Sequence, residues 1–372
     1  MSTRPWHIVC AGGGTLGSVT PLLAVVEELR ARYKDSIKFS WLGTSDGPEL
    51  ALVSAAGLRF VSMPAGKLRR YWSWDNVVDV GKTSLGFFAA FNWFMENKAD
   101  VVLTAGGYIA VPVALAAKAC HIPVMLHQQD VLLSLTNKIL SPLATKVTVA
   151  LDVPQPNFFK KKAILVGNPV RAGFKQPPER DSACAALGLD AKLPVVLIIG
   201  GGTGAKSLNS LVADSLSYLT AVAQVVHLTG VGKLSSQQPN ERYFVQEFAT
   251  DDIPYLAAAD LVISRAGMGT ITELAALHKP AVIIPIPETH QEANANFLAK
   301  HEAAVVLDQV ILTPEILVAT VRQLLQKPVW RQTLSENIGK IMPSDAAQRL
   351  AKEVEKILAS HHYRRLRKTK RI

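Results

Sequence analysis

LVISRAGMGTITELAALHKPAVIIPIPETHQEANANFL, residues 261–298, reads as two strand–loop–helix units in succession. The apolar run Leu261–Ile263 predicts a buried strand, and the flexible turn Arg265–Gly269 follows it. Thr270 begins a helical pattern with apolar residues on one face. A second apolar run, Ala281–Ile284, predicts the next strand. Strands that alternate with helices in this way indicate an α/β fold with a parallel sheet.

The turn and the helix that follows it have the features of an anion site. Free backbone N–H groups and the helix dipole meet where a helix begins after a glycine turn. Glu273 lies in this helix, and its carboxylate is suited to accept two hydrogen bonds from a vicinal diol such as ribose. On spacing alone, an ordinary βαβ crossover with a solvated Glu273 explains the pattern equally simply.

Composition limits the class of protein. A chain of 372 residues is long enough for two domains. No apolar run reaches 18 residues and no signal-peptide core precedes the first strand, so neither a membrane span nor export is expected. The net charge of +10 favours an anionic partner. Cys10, Cys120 and Cys184 are few and far apart, which fits a reducing cytosol and disfavours a disulfide framework or a zinc site.

Two glycine turns open the two halves of the chain. Strand Trp6–Ala11 leads into Gly12–Val19, and Thr20 is predicted to cap the next helix. Strand Val195–Ile199 leads into the turn Gly200–Lys206 and another helix. Two similar halves predict a duplicated Rossmann-like architecture with a cleft between them. Neither turn carries the dinucleotide fingerprint, so a nicotinamide-dependent dehydrogenase is not favoured.

Other segments complete the predicted organisation. Strand Pro123–Leu126 ends in the polar residues 127–130, and open α/β sheets carry their sites at such strand ends. Taken alone, Asp130 also suits a simple turn cap. Gly167–Pro169 interrupts the pattern and is a candidate hinge. A further strand is expected at Phe248–Asp252.

Aromatic residues are concentrated in one segment. Eight of the 25 aromatic residues lie within Tyr71–Phe94, beside Lys67, Arg69, Arg70 and Lys82. Rings with flanking cations are typical of an interfacial membrane patch, whereas the alternative is a helix whose rings belong to the core. The basic tail after Tyr363 is suited to anionic lipid or nucleic acid, or is a disordered solubilising tail.

Eight segments, found in family order across nearly the whole chain, together resemble the MurG family of glycosyltransferases. They are GGTLGSVTPLLAV (13–25), GKLRRY (66–71), ADVVLTAGGYIAVP (99–112), IPVMLHQQD with LTNK (122–138), VGNPVR (166–171), GGGTGAKSLN (200–209), AAADLVISRAGMGTITEL (257–274) and HQEANANFL (290–298).

The resemblance implies a GT-B fold of two Rossmann-like domains and an inverting transfer in peptidoglycan synthesis. N-acetylglucosamine would pass from UDP-N-acetylglucosamine to the muramyl sugar of undecaprenyl-pyrophosphate-linked lipid I, giving lipid II and UDP. No metal, other cofactor or nucleic acid is implied. The enzyme would be peripheral to the cytoplasmic face of the cell membrane and touch its anionic surface through the Tyr71–Phe94 segment and nearby basic residues.

The resemblance also assigns domains. Residues 1–168 would form the acceptor and membrane-associating domain, joined by a C-terminal helix at about 342–360. Residues 169–341 would bind the UDP-sugar donor, and 361–372 would form the basic tail.

Individual roles follow from matching motif positions. On the donor side, Arg171 would contact the nucleotide, Glu273 the ribose and Gln291 the sugar hydroxyls. Further donor contacts are implied for Gly202, Thr203, Ala249 beside the uracil, and the backbone N–H groups of Met268, Gly269 and Thr270. Thr15, Leu16 and Gly17 would face donor and acceptor, and N–H groups of glycine loops in the N-terminal half would meet the acceptor pyrophosphate.

Departures from the family pattern concern the acceptor side. The usual GGTGGH has Leu16 in place of the first Gly of its second pair and Ser18 in place of its His, and HEQN reads His127-Gln128-Gln129-Asp130. Gly202 stands where Ser is common. Inverting transfer needs a base, and Ser18 is a poor one at neutral pH. We hypothesise that Asp130 supplies the carboxylate that is lost at Gln128, which leaves Asp130 and Ser18 as the catalytic candidates.

Two alternative functions stay open at this stage. One is a related glycolipid synthase that uses a UDP-hexose and a diacylglycerol-type acceptor, although HQEANANFL and LTNK favour the lipid I enzyme. The other is a nucleotide-sugar-binding protein without transfer activity, because the expected His and Glu are missing.

Overall fold

The computed structural model describes residues 4–47, 49–66, 74–154, 163–201, 205–233 and 240–369. The chain forms two compact units, Met1–Arg171 with Asp345–Ile372, and Ala172–Ser344. We call them unit 1 and unit 2. The boundaries expected from the sequence each lie three residues earlier, at 168 against 171 and at 341 against 344.

Both units contain a parallel sheet flanked by helices. The strands are β1 Trp6–Ala11, β2 Ile37–Gly43, β3 Arg59–Ser62, β4 Val101–Thr104, β5 Val124–Gln128, β6 Lys146–Val149, β7 Ala163–Leu165, β8 Val195–Ile199, β9 Gln224–Leu228, β10 Tyr243–Gln246, β11 Leu261–Ser264, β12 Ala281–Ile283 and β13 Val305–Val306. The α-helices are α1 Thr20–Tyr33, α2 Glu49–Ala55, α3 Trp74–Glu96, α4 Ala110–Ala119, α5 Leu135–Leu140, α6 Arg180–Ala186, α7 Lys206–Thr220, α8 Ile253–Ala258, α9 Met268–Ala276, α10 His290–Lys300, α11 Pro314–Gln326, α12 Pro328–Ile338 and α13 Ala346–Thr369.

The sheet of unit 1 has the order β3-β2-β1-β4-β5-β6-β7, and all its pairings are parallel. Helices α1 and α13 cover one face, where Leu29 and Val354 are fully buried. Helices α3 and α4 cover the other face with residues such as Ala90 and Val113. The C-terminal helix therefore completes the hydrophobic core of the N-terminal half, and Lys146 at the start of β6 pairs with Glu353 of this helix.

The sheet of unit 2 has the order β10-β9-β8-β11-β12-β13, again with parallel pairings. Helices α7 and α11 bury Val212 and Val321 against β8 and β11. In each sheet the first strand of the unit, β1 or β8, is central, and later strands are added on both sides of it, as in a doubly wound fold.

Two local predictions are wrong. The predicted strand Phe248–Asp252 is a loop, and the edge strand is Tyr243–Gln246 instead. Asp251 accepts a hydrogen bond from the N–H of Ile253, and Pro254 occupies the first turn of α8, so these residues begin a helix. Thr20 is not a cap either, because α1 begins one residue earlier than expected and Val19 takes the N-cap position without a side-chain bond.

Helix α3 places most of its Phe rings, and Trp93, in or against the core instead of on an exposed aromatic surface. Trp93 and Phe94 are buried in the core, and Phe87 and Phe91 pack against it half-buried. Among the Phe residues of α3, only Phe88 is exposed. The rings are internal because they follow the apolar face of the helix towards α4. Lys67, Arg69, Arg70 and Tyr71 lie outside the described residues.

The C-terminal tail is not the disordered segment that was one of the two expectations from the sequence. Helix α13 continues to Thr369, so residues 361–369 are helical and do not form the disordered tail that was one alternative. In the part of the chain that the structure describes, no helix has the length and apolarity needed to cross a membrane.

Because three histidines are buried, we expect the stability of the folded protein to fall at acidic pH. Burial lowers the pKa of His7, His127 and His227 from 6.5 to about 4. These rings stay neutral in the folded chain, whereas the unfolded chain takes up protons below pH 6.5. The free energy of unfolding should therefore fall as the pH drops from 6.5 towards 4, by up to about 1.4 kcal/mol per pH unit for each ring.

Urea unfolding between pH 7 and 4.5 measures this slope. His227→Gln removes one titrating ring and should flatten the slope for unit 2, while unit 1 keeps its own. Equal slopes for this variant and the parent protein in unit 2 would contradict the assignment.

Candidate active site

Two loops of unit 1 leave the sheet side by side at its carboxyl edge. The strand order reverses at β1, which pairs with β2 on one side and β4 on the other. The loops after β1 and β4 are in such close contact that side chains do not fit between them. A Cβ at Gly107 would lie 2.6 Å from the Gly13 carbonyl oxygen, and one at Gly14 would overlap the Tyr108 ring. Doubly wound sheets bind their ligands at this place, outside the carboxyl ends of the strands where the strand order reverses.

A buried glutamate supports the first of these loops. The carboxylate of Glu49 accepts hydrogen bonds from the N–H of Gly14 at 3.1 Å, the N–H of Thr44 at 2.8 Å and the hydroxyl of Thr44 at 2.6 Å. A Cβ at Gly13 or Gly47 would overlap this carboxylate. Sequence reasoning did not identify Glu49, because its burial and its three donors are seen only in the structure.

The predicted residues of the first loop have different environments. Leu16–Ser18 form a short 3-10 turn, and Thr15 and Gly17 are exposed on it. Ser18 is buried, and its hydroxyl donates to the Thr15 carbonyl at 3.3 Å. Gly14 already donates to Glu49, so its N–H is not available to an acceptor pyrophosphate. The expected cradle of this loop therefore lacks one of its N–H groups.

The polar residues after β5 form a buried network. His127 contacts the Thr148 hydroxyl and the Asn168 side-chain oxygen, each at 2.9 Å. Burial lowers the pKa of His127 to about 4, so the ring is neutral and donates one N–H to Asn168. Asn168 in turn donates to Gln129 at 3.4 Å. The candidate hinge residue Asn168 is therefore bonded into unit 1.

Gln128 and Asp130 differ in exposure. Gln128 is 2% exposed, and its amide nitrogen donates to the carbonyls of Asp130 and Leu132. Asp130 is half-buried at the carboxyl edge of the sheet. The loop after β5 thus carries a half-buried carboxylic acid next to a fully buried amide.

A buried arginine occupies the corresponding edge of unit 2. The sheet order reverses between β8 and β11, and Arg265 follows β11 directly. Its guanidinium donates to the Ser207 hydroxyl at 2.6 Å and to the Ile284 carbonyl at 2.9 Å. Arg265 is 4% exposed, and burial lowers its pKa. It joins the loops after β8, β11 and β12, a role that sequence reasoning missed.

The predicted donor residues cluster around this edge. Helix α9 begins at Met268 and has no side-chain cap at Gly267, so the N–H groups of Gly269 and Thr270 lie in an uncapped first turn. Glu273 follows one turn later and is half-buried. Gln291 lies in the first turn of α10, where its side-chain oxygen accepts from the N–H of Ile286 at 3.2 Å. Residues that are distant in sequence therefore meet at one end of β11 and β12.

Two of the remaining candidates lie in other segments, and two lie outside the described residues. Ala249 is half-buried after the edge strand β10. Arg171 is half-buried at the last position of unit 1. Gly202 and Thr203 lie outside the described residues.

The two edges differ in the sign of their buried charge. Unit 2 combines a buried guanidinium with an uncapped helix start, which favours an anion such as a diphosphate. Unit 1 combines a buried carboxylate with neutral polar groups and Asp130. Within the described ranges, no group of three or more His, Cys, Asp or Glu side chains is placed to hold a metal ion.

Comparison with known families agrees with this division. The model of the glycosyltransferase family 28 N-terminal domain matches residues 8–149, and that of the family 28 C-terminal domain matches residues 195–354. A UDP-N-acetylglucosamine–N-acetylmuramyl-(pentapeptide) pyrophosphoryl-undecaprenol N-acetylglucosamine transferase of Shouchella clausii is 33% identical over 94% of this chain and 98% of its own. The chain belongs to the MurG family. A Bacillus subtilis MurG-family protein of the same name is 32% identical over 94% of this chain and 99% of its own.

Solved structures agree with the family. Acinetobacter baumannii MurG superposes with a TM-score of 0.69 and 27% identity, covering 95% of this chain and all of that one. The calicheamicin glycosyltransferase CalG4, at 19% identity and a TM-score of 0.68, shares the fold. The fold is therefore GT-B, with two Rossmann-like α/β domains, as the resemblance implied.

Removal of Glu49 should destabilise unit 1. Glu49→Ala leaves the two buried donors of Thr44 and the half-buried N–H of Gly14 without an acceptor, and each buried loss costs about 1–3 kcal/mol. Glu49→Gln keeps one oxygen for Thr44 and should cost less. Urea unfolding of unit 1 measures both. The matched control Asp46→Ala, at an exposed site in the same loop, should change stability by less than about 0.5 kcal/mol, and an equal effect at Glu49 would contradict its role.

Proposed function

We propose that this protein transfers N-acetylglucosamine from UDP-N-acetylglucosamine to the muramyl sugar of lipid I, giving lipid II and UDP. The observation that carries the proposal is similarity along nearly the full length to enzymes whose names state this reaction, at 31–35% identity. The two alternatives, a glycolipid synthase and a binding protein without transfer, have no such support.

Unit 2 is proposed to hold the donor. The first turn of α9 and the charge of Arg265 suit the diphosphate, because an anion is stabilised by free N–H groups and a nearby cation. Glu273 would accept hydrogen bonds from the ribose hydroxyls, and Gln291 would contact the sugar. As the bond from the sugar to the diphosphate breaks, negative charge grows on the leaving UDP, and these fixed donors stabilise it.

Arg171, Ala249, Gly202 and Thr203 remain proposed donor contacts on the basis of motif position. Arg171 would add a second cation for the nucleotide. Thr15, Leu16 and Gly17 are proposed to face both substrates from unit 1, and the exposure of Thr15 and Gly17 supports this.

Asp130 is proposed as the base of the reaction. A hydroxyl of the muramyl sugar attacks the anomeric carbon of the donor, its proton passes to the base, and UDP leaves. Ser18 is less suited, because its hydroxyl is buried and donates to a carbonyl. The half-buried carboxylate of Asp130, on the loop after β5, supports the assignment.

Activity with defined substrates tests both the reaction and the base. Purified protein with labelled UDP-N-acetylglucosamine and a short-chain lipid I analogue should yield labelled disaccharide. Asp130→Asn should lower kcat about 10²- to 10⁴-fold, because the proton acceptor is lost, and leave UDP affinity within about twofold.

Three outcomes separate the alternatives. UDP release without a disaccharide means hydrolysis, and no release at all means binding only. Normal transfer by Asp130→Asn would reject Asp130 as the base while leaving the reaction itself supported.

The membrane-facing surface is proposed to be the exposed stripe of α3, at the cytoplasmic face of the membrane. Val78, Leu85, Phe88 and Met95 are 58%, 64%, 61% and 67% exposed, and their spacing places them along one side of the helix. Lys82 is exposed among them. Apolar side chains beside a cation suit the interface of an anionic bilayer.

Vesicle sedimentation tests this surface. Leu85→Ser and Phe88→Ser should each reduce binding to anionic vesicles about tenfold, because burying one such side chain contributes about 1.5 kcal/mol or more. The control Val329→Ser changes a side chain of unit 2 that is 79% exposed and should bind like the parent protein. Equal losses in all three variants would reject α3 as the contact.

A further inference from the structure

The side chain of Gln128 uses its amide in a way that a carboxylate cannot. The main-chain oxygen of Gln128 accepts a hydrogen bond from the N–H of Ala150, which fixes the end of β5 beside the end of β6. Its Nε2 donates to the Asp130 carbonyl at 2.7 Å and to the Leu132 carbonyl at 3.0 Å. Its Oε1 accepts from the Nδ2 of Asn137 at 2.5 Å. Both amide hydrogens and the oxygen are therefore used.

The contacts define the orientation of the amide. If nitrogen and oxygen were exchanged, Oε1 would face two carbonyl oxygens and Nε2 would face another NH₂ group. Neither pair forms a hydrogen bond. Only the observed orientation satisfies all three partners.

Asn137 connects this amide to helix α5. The N–H of Asn137 is capped by the Ser134 hydroxyl at 3.1 Å, so the residue is fixed in the first turn of the helix. A Cβ at Gly106 would lie 3.0 Å from the Asn137 side-chain oxygen. The result is a rigid series of contacts from α5 through Asn137 and Gln128 to the loop that carries Asp130.

A glutamate at position 128 would break this arrangement. Its ionised carboxylate has no hydrogen to donate, so the carbonyls of Asp130 and Leu132 would lose their partner and face negative charge. The family resemblance has Glu at position 128 and Asn at position 130. The exchange of both residues in this chain is thus one physical change, in which the carboxylate moves two positions along and the amide replaces it.

We propose that Gln128 is a positioning residue that fixes the loop after β5 and thereby holds the Asp130 carboxylate in its working place. This inference rests on the proposed role of Asp130 as the base. Gln128 itself touches no substrate in this proposal and acts through Asp130.

The test is a double-mutant cycle in the full-length protein with Gln128→Glu, Asp130→Asn and the double variant. Gln128→Glu should lower kcat about 10²-fold, the size of effect that a misplaced catalytic group produces, and leave the KM for UDP-N-acetylglucosamine within about twofold. In the Asp130→Asn background, the same change should cost less than about threefold, because the group it positions is already lost.

Gln128→Met covers the case in which Gln128→Glu fails to fold. It removes both donors without adding charge and should show the same dependence on Asp130. The control Gln129→Glu introduces the same buried carboxylate one residue along. Its side-chain oxygen already acts as an acceptor for Asn168, so its kcat should stay within about threefold of the parent protein.

The outcomes separate the two proposals. Equal losses from the Gln128 change with and without Asp130 would overturn the positioning role, because a merely structural effect is additive. So would a kcat for Gln128→Met within twofold of the parent value. Normal kcat for Asp130→Asn alone would instead overturn the assignment of the base.

Discussion

In each half of this protein, one central strand pairs in parallel with a neighbour on each side, and this pairing determines where the loops of the half lie. β1 lies between β2 and β4, and β8 lies between β9 and β11. Because parallel crossovers are right-handed, helices that precede and follow the reversal cover opposite faces of the sheet, and their loops separate at the carboxyl edge. The glycine loop after β1, Asp130 and Arg265 all lie at these edges. The position of the candidate site follows from strand order before any side chain is considered.

A second constraint is the cost of burying charge at these edges. Glu49 and Arg265 are both buried, and within the described residues neither forms an ion pair. Each is stabilised instead by hydrogen bonds to loop main-chain atoms and hydroxyls, which reduces the desolvation penalty and gives the loops one shape. The signs of these charges are opposite. An anion therefore gains more at the edge of unit 2, while the first loop of unit 1 already holds a negative charge.

Much of the fold could be predicted because buried parallel strands are continuous apolar runs. Strands β1 and β8 have the predicted bounds, and the glycine turn after β1 lies where expected. Prediction failed where tertiary contacts decide. Tyr243 belongs to an edge strand because its hydroxyl bonds to the buried ring of His227, which the local pattern does not reveal. Trp93 and Phe94 matched an interfacial patch in composition, but the side of α3 that meets α4 is known only from packing.

At the candidate site, too, the sequence did not reveal the residues whose role depends on tertiary contacts. Motif positions led to the predictions for Glu273 and Gln291, and a departure from the motif led to Asp130, because a family pattern leaves a signature in the sequence. Glu49 and Arg265 have none, because a supporting charge is recognised by its burial and partners.

The departures at the acceptor side gain a physical meaning only from these contacts. A Gln in place of Glu, read from sequence, looks like the loss of a catalytic group. With both its hydrogens bound to the carbonyls of Asp130 and Leu132, it is a requirement of the loop. A carboxylate cannot occupy that buried place without leaving two carbonyls unpaired, but it is tolerated at position 130, where the chain is partly open to water. In this chain the contacts of the loop suit an amide at position 128 and a carboxylate at position 130, which is why the two residues are exchanged together.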